Sequence, residues 1–218
     1  MNTIKDEAIF NKRKYEKIIK ALRLIFWGGL FIVIDFNLSC QLHSENIGMD
    51  VFNDSIGLIL VSVGLLYLMF IEHNDKYDNI ITIVTMISIL YSIGSILLIF
   101  YPSLNEKLSN FTYLIWLIQN VGLLLFCWSL KILFDDEEMK YLYNRWNTLF
   151  ILFIFFSILP TGLLLVLQSQ INLYNINAFV SISMILFTIL QIVPLVYLML
   201  TINKIIQYAK SKVPNSVM

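Results

Sequence analysis

Six runs of predominantly apolar residues, at roughly 21–40, 54–72, 79–101, 111–134, 147–168 and 178–203, leave this chain few ways to fold. About 20 such residues in a helix cross a bilayer core about 30 Å thick. Lipid offers no partner for a backbone amide, so segments of this length resolve into helices that bond internally. With 58% hydrophobic and 14% charged residues, the composition lies outside the range of soluble domains. The expected fold class is an all-α integral membrane protein with six transmembrane helices. The first run is the least uniform, because Arg23 and Asp35 bracket its apolar stretch. Both charges are expected within a turn or two of the interfaces, where Arg23 snorkels.

The distribution of charge sets the expected topology. Lys5, Lys12, Arg13, Lys14, Lys17, Lys20 and Arg23 precede or open the first run. Lys76 follows the second, Lys131, Lys140 and Arg145 lie between the fourth and fifth, and Lys204, Lys210 and Lys212 follow the sixth. Lys107 alone falls on the other side. By the positive-inside rule both termini are cytoplasmic. Three segments follow: a cytoplasmic amphipathic stretch at 1–20, a six-helix domain at 21–203 and a cytoplasmic tail at 204–218. In the first, Ile4, Ala8, Tyr15, Ile18, Ile19 and Leu22 recur at helical spacing, which suits a helix lying on the inner leaflet or docking a partner. No small-residue cleavage site follows the basic run, so it reads as a retained first span and not a signal peptide. The richness in Ile, Asn, Lys and Tyr resembles that of AT-rich genomes, which points to a bacterial plasma membrane.

Spans two, four and six share a pattern: VGLLYLM at 63–69, VGLLLFC at 121–127 and VPLVYLM at 193–199. The odd spans echo one another in GLFIVI at 29–34, GSILLI at 94–99 and GLLLVL at 162–167. One reading is a threefold repeat of an out-and-back helical hairpin, with Gly64 and Gly122 at equivalent tight contacts. The other is that Leu-rich and Val-rich membrane helices align this well by composition, since small residues recur at their interfaces for packing alone. Pro160 and Pro194 are each expected to kink their helix.

The polar residues of the first outer loop belong to hairpin one alone. Asp35 near the end of span one, Asp50, and Asn53 with Asp54 opening span two form a candidate outer acidic site for a cation or a basic partner. The competing explanation for Asp54 is structural, as a carboxylate at a helix N-terminus accepts backbone N–H bonds and complements the dipole. The Asp near the end of span one, with Asn-Asp-x-x-Gly (Asn53, Asp54, Gly57) opening span two, resembles small uncharacterised multi-pass membrane proteins of Gram-positive bacteria. The resemblance covers about 25 residues of the 218 and implies no activity.

Nothing in the sequence has the form of a catalytic or cofactor motif. No Gly-rich phosphate loop, Ser/His/Asp arrangement or metalloprotease helix is present. Cys40, His43, Glu45 and Asp50 are of metal-binding type, but their spacing matches no zinc template and reads as a solvated loop. Cys40 near the outer face and Cys127 deep in span four are about 24 Å apart in depth, too far for a disulfide. Glu72, His73 and Asp75 form a mixed inner cluster, and residues 135–138 an acidic run that reads as a solvated face. Inside the membrane the polar groups include Gln119, Asn120 and Gln191, which suit interhelical hydrogen bonds. The expected partners are the bilayer and either a second copy or another membrane protein, with no nucleic acid, no cofactor and no metal. The leading expectation is a non-catalytic protein acting through assembly. The alternative is a small transporter or channel with an acidic outer mouth.

Overall fold

The computed structural model describes residues 2–33, 39–42, 45–48, 50–71, 73–101, 111–134, 140–168 and 178–213. Its helices are α1 (Asn2–Val33), α2 (Asp50–Met69), α3 (Asp75–Phe100), α4 (Thr112–Leu133), α5 (Lys140–Phe153), α6 (Leu159–Gln168) and α7 (Ala178–Lys212). A π-helical turn, Ile154–Ile158, joins α5 to α6 without a break. A short antiparallel ribbon of β1 (Ser39–Leu42) and β2 (Glu45–Gly48) pairs Ser39 with Gly48 and Leu42 with Glu45. The segment expected to be an irregular loop thus carries a hairpin. Among the described residues, four helical stretches are long and apolar enough to cross a membrane: Asp75–Leu98, Leu114–Leu133, Asn144–Leu163 and Ile192–Lys212. A shorter apolar stretch, Ser55–Met69, lies in α2.

Three boundaries differ from the sequence expectation. The helix opening the chain runs unbroken from Asn2 to Val33, with no break at residue 20. No Gly or Pro interrupts it before Gly28, and the stripe of Ile18, Ala21, Leu22 and Ile25 is buried, which ties both halves to one packing surface. Span one also stops short of residue 40, because β1 begins at Ser39. At the other end α7 continues past 203 to Lys212, since Ile205, Ile206 and Ala209 extend its buried stripe between the exposed Lys204, Gln207 and Lys210.

The chain divides into two compact units, Met1–Tyr101 with Met199–Met218, and Pro102–Leu198. In the first, α1, α2 and α3 pack in sequence order. Asn74 caps α3 by accepting the Tyr77 amide at 2.8 Å, and Asp75 and Asp78 add negative charge to that positive helix end. The Tyr77 hydroxyl donates to the Leu68 carbonyl at 3.0 Å, closing the α2–α3 connection. In the second unit Phe126, Cys127, Leu130, Trp146, Leu149 and Phe153 are buried.

Pro160 does not simply kink span five. A proline lacks the N–H that the carbonyl four residues earlier would accept, and its ring clashes with that carbonyl. Here the turn before it widens: the Leu159 amide donates to the Ile154 carbonyl, five residues back. The π turn accommodates the ring inside a continuous helical path. Pro194 lies within α7, which is helical on both sides of it.

Candidate functional site

The described polar and small side chains gather along three seams between helices. The first joins α1 to α2. A Cβ on Gly28 would stand 2.6 Å from the Gly57 carbonyl oxygen, and one on Gly64 would stand 2.8 Å from the Ala21 carbonyl oxygen and 2.6 Å from Ile25 Cγ1. Ala21 and Gly28 on one helix, and Gly64 and Gly57 on the other, are each seven residues apart, so the small residues meet twice in an antiparallel register. Backbones can come this close only where side chains are absent or minimal.

On the opposite side of α2 a second seam is built from serines. Ser62 Oγ lies 2.7 Å from Ser88 Oγ and 2.9 Å from Ser92 Oγ, and Ser55 pairs with Ser95. Ser92 also donates to the Ser88 carbonyl at 3.0 Å. In α2 Ser55 precedes Gly57 by two residues and Ser62 precedes Gly64 by two, about 200° around the helix each time. One helix therefore presents hydrogen-bonding hydroxyls to α3 and bare backbone to α1.

The third seam lies in the second unit. Thr161 Oγ1 donates to the Ser157 carbonyl at 2.7 Å, inside the π turn, and the Asn120 amide nitrogen reaches Thr161 Oγ1 at 3.5 Å. Ser157 and Thr161 are buried. Asn120 stands out in the sequence as an intramembrane polar residue, but only the fold brings it to Thr161. Gln119 is half-buried on α4, and the side chain of Gln191 lies outside the described residues.

The outer acidic site is placed in part. Asp35 lies outside the described residues, as do the side chains of Asp50, Asn53 and Asp54. The backbone places the last three within the first two turns of α2, which begins at Asp50. Asp54 is therefore the fifth helical residue and not the cap, because the chain leaves β2 at Gly48 and enters the helix almost at once. Among the described residues no group of three His, Cys, Asp or Glu side chains is placed to hold a metal ion. Of the mixed cluster Glu72, His73 and Asp75, Glu72 lies outside the described residues, while His73 packs edge-on against Tyr77 with ring centroids 5.6 Å apart, next to the Asn74 cap, and Asp75 opens α3.

Repeat equivalence was expected to appear as close glycine contacts in each hairpin. Gly64 makes such a contact, and Gly29 is covered by the Met199 thioether, but a Cβ on Gly94 or Gly162 would meet nothing within 4 Å. The odd-span glycines are not equivalent in packing. Every buried side-chain nitrogen or oxygen among the described residues has a hydrogen-bond partner. Compared with protein-family models, with curated proteins and with solved structures, the chain matches none.

Proposed function

We propose that this chain is a six-span, non-catalytic membrane protein with both termini in the cytoplasm, acting through assembly in the plasma membrane. The observation that carries the reading is the outward face of α3. Ile83, Met86, Leu90, Ile93, Leu97 and Phe100 are all exposed and alternate at intervals of three and four residues. That spacing is the narrow seam of helices that associate with one another, and it is self-complementary, so a second copy fits it. The buried polar groups support the same reading. The Ser62, Ser88 and Ser92 hydroxyls bond one another across a helix contact, in the manner of packing locks. A heterologous membrane subunit would use the same face.

The experiment is oxidative cross-linking of Leu90→Cys in an otherwise Cys-less chain in native membranes, together with the mass of the detergent-purified protein. A cross-linked dimer is expected. A monomer that neither cross-links nor brings down another membrane protein overturns the proposal.

A transport reading has one observation in its favour. Asp50, Asn53 and Asp54 stand at one-face spacing at the start of α2. If they and Asp35 line a cation path, proteoliposomes will show flux that Asp35→Asn and Asp54→Asn both reduce. Absence of flux for common cations and small solutes removes that reading.

A further inference from the structure

A face of α1 that flanks its contact with α2 carries Arg13, Glu16, Lys17, Lys20 and Arg23, all exposed, followed by the exposed Trp27 and Phe31. At 100° per residue these seven positions fall within an arc of about 120°, opposite the buried Ile18, Leu22 and Ile25. One stripe therefore changes along its length from cationic to aromatic.

The depth of that stripe follows from the seams. Gly28 meets Gly57 and Ala21 meets Gly64, and continuing this register puts Arg23 across from Ser62. Ser62 in turn bonds Ser88 of α3. The uncharged, largely apolar run of α3 opens at Ile80, eight residues before Ser88, or about 12 Å along the helix. Arg23 is thus level with the middle of a helix apolar enough to cross a membrane, not within a turn or two of its end. An arginine side chain is too short to span that whole distance. By the same register Lys20 is level with Leu65, and its ammonium is held 4.6 Å from the centroid of the Tyr67 ring of α2.

A cation at such depth is costly unless it is paired or reaches water, and an anion drawn in to it supplies the pairing. We infer that the exposed stripe of α1 binds an anionic phospholipid, its phosphate drawn in between Lys20 and Arg23 and its acyl chains lying over Trp27 and Phe31. The order of residues matches the order of groups in such a lipid. A guanidinium takes phosphate oxygens in pairs, an ammonium adds a point charge, and aromatic rings offer apolar surface to the chains. Glu16 lies one to two turns beyond the phosphate position and sets the upper limit of the anion's path. A transmembrane helix from another protein would instead need carboxylates at matching three- and four-residue intervals on an otherwise apolar face. The aromatic lower half of the stripe does not call for that.

The test uses the full chain in phosphatidylcholine nanodiscs containing a minor fraction of phosphatidylglycerol, with the lipids retained by the released protein counted by native mass spectrometry. The wild-type protein should retain phosphatidylglycerol in clear excess over its share of the disc. Lys20→Gln and Arg23→Gln should each lower that preference by roughly fivefold, as removal of one basic residue near a headgroup does. Arg23→Lys should keep most of it. Lys204→Gln with Lys210→Gln, exposed lysines on α7 and off this stripe, should leave it unchanged. No preference in the wild type overturns the inference whatever the variants do. So does equal loss in the α7 variant, which would reduce the effect to net charge. Arg23-dependent co-purification of another membrane protein without lipid preference also overturns it, in favour of a helix partner.

Discussion

Gly28 of α1 and Gly57 of α2 face each other across a backbone contact: a Cβ on the first would lie 2.6 Å from the carbonyl oxygen of the second, and a Cβ on the second 2.7 Å from that of the first. Neither obstruction is a side-chain end that can swing aside. Gly28→Ala and Gly57→Ala should each force the helices apart and cost on the order of 1–3 kcal/mol, as overpacking does elsewhere. Thermal denaturation in detergent measures it. Gly94→Ala is the control: a Cβ there meets nothing within 4 Å. It should be neutral, or stabilising by up to about 1 kcal/mol through helix propensity. Equal effects at Gly28 and Gly94 would mean that the α1–α2 seam is not where the structure has it.

Ser62 shares hydroxyl contacts with both Ser88 and Ser92. Ser62→Ala should cost about 0.6 kcal/mol and at most about 2 kcal/mol, the range of interhelical hydrogen bonds in lipid. A double-mutant cycle of Ser62→Ala with Ser88→Ala should give a coupling energy of the same sign and similar size. Strict additivity would show that the two hydroxyls do not interact.

Thr161 holds the π turn from within, donating to the Ser157 carbonyl. Thr161→Val keeps the volume and removes the donor, leaving that buried carbonyl without it and the Asn120 amide without its acceptor. The expected loss is about 1–3 kcal/mol. Thr161→Ser retains the hydroxyl and should recover most of it. Unfolding measured on both variants distinguishes the hydrogen bond from shape.

Orientation is tested by labelling. In a Cys-less background, Glu106→Cys and Lys140→Cys should react with an impermeant thiol reagent from opposite faces of the membrane, because the basic residues would cluster on one side of the proposed six-span arrangement. Equal reaction of both on intact cells would overturn that topology. The native Cys127 is buried with no exposed surface and should react only after denaturation, which makes it an internal reporter of folding.

The helices were legible in the sequence to the extent that hydropathy is local. An apolar run of about 20 residues needs no partner to become helical in lipid, so the positions of α3, α4 and the start of α7 follow from composition along the chain. Pro160 likewise announces an irregularity, because its missing N–H is a property of one residue; the π turn that answers it depends on how neighbouring carbonyls rearrange. The acidic loop was legible as a cluster, but its ribbon and the start of α2 at Asp50 were not, since strand pairing links residues by register and not by type.

What the sequence determined by itself was therefore the class of fold and the abundance of small and hydroxylated residues within its helices. Which of them matter was decided by tertiary structure. Gly57, Gly64, Gly94 and Gly162 look alike in sequence, yet two touch a neighbouring backbone and two face open space. Ser62 finds Ser88, and Asn120 finds Thr161, across 26 and 41 residues of chain. The physical reason is that an interhelical contact depends on the rotation and axial shift of two helices together. Hydropathy summed along either helix is insensitive to both, so only packing sets Arg23 level with Ser62 and leaves the cationic face of α1 exposed.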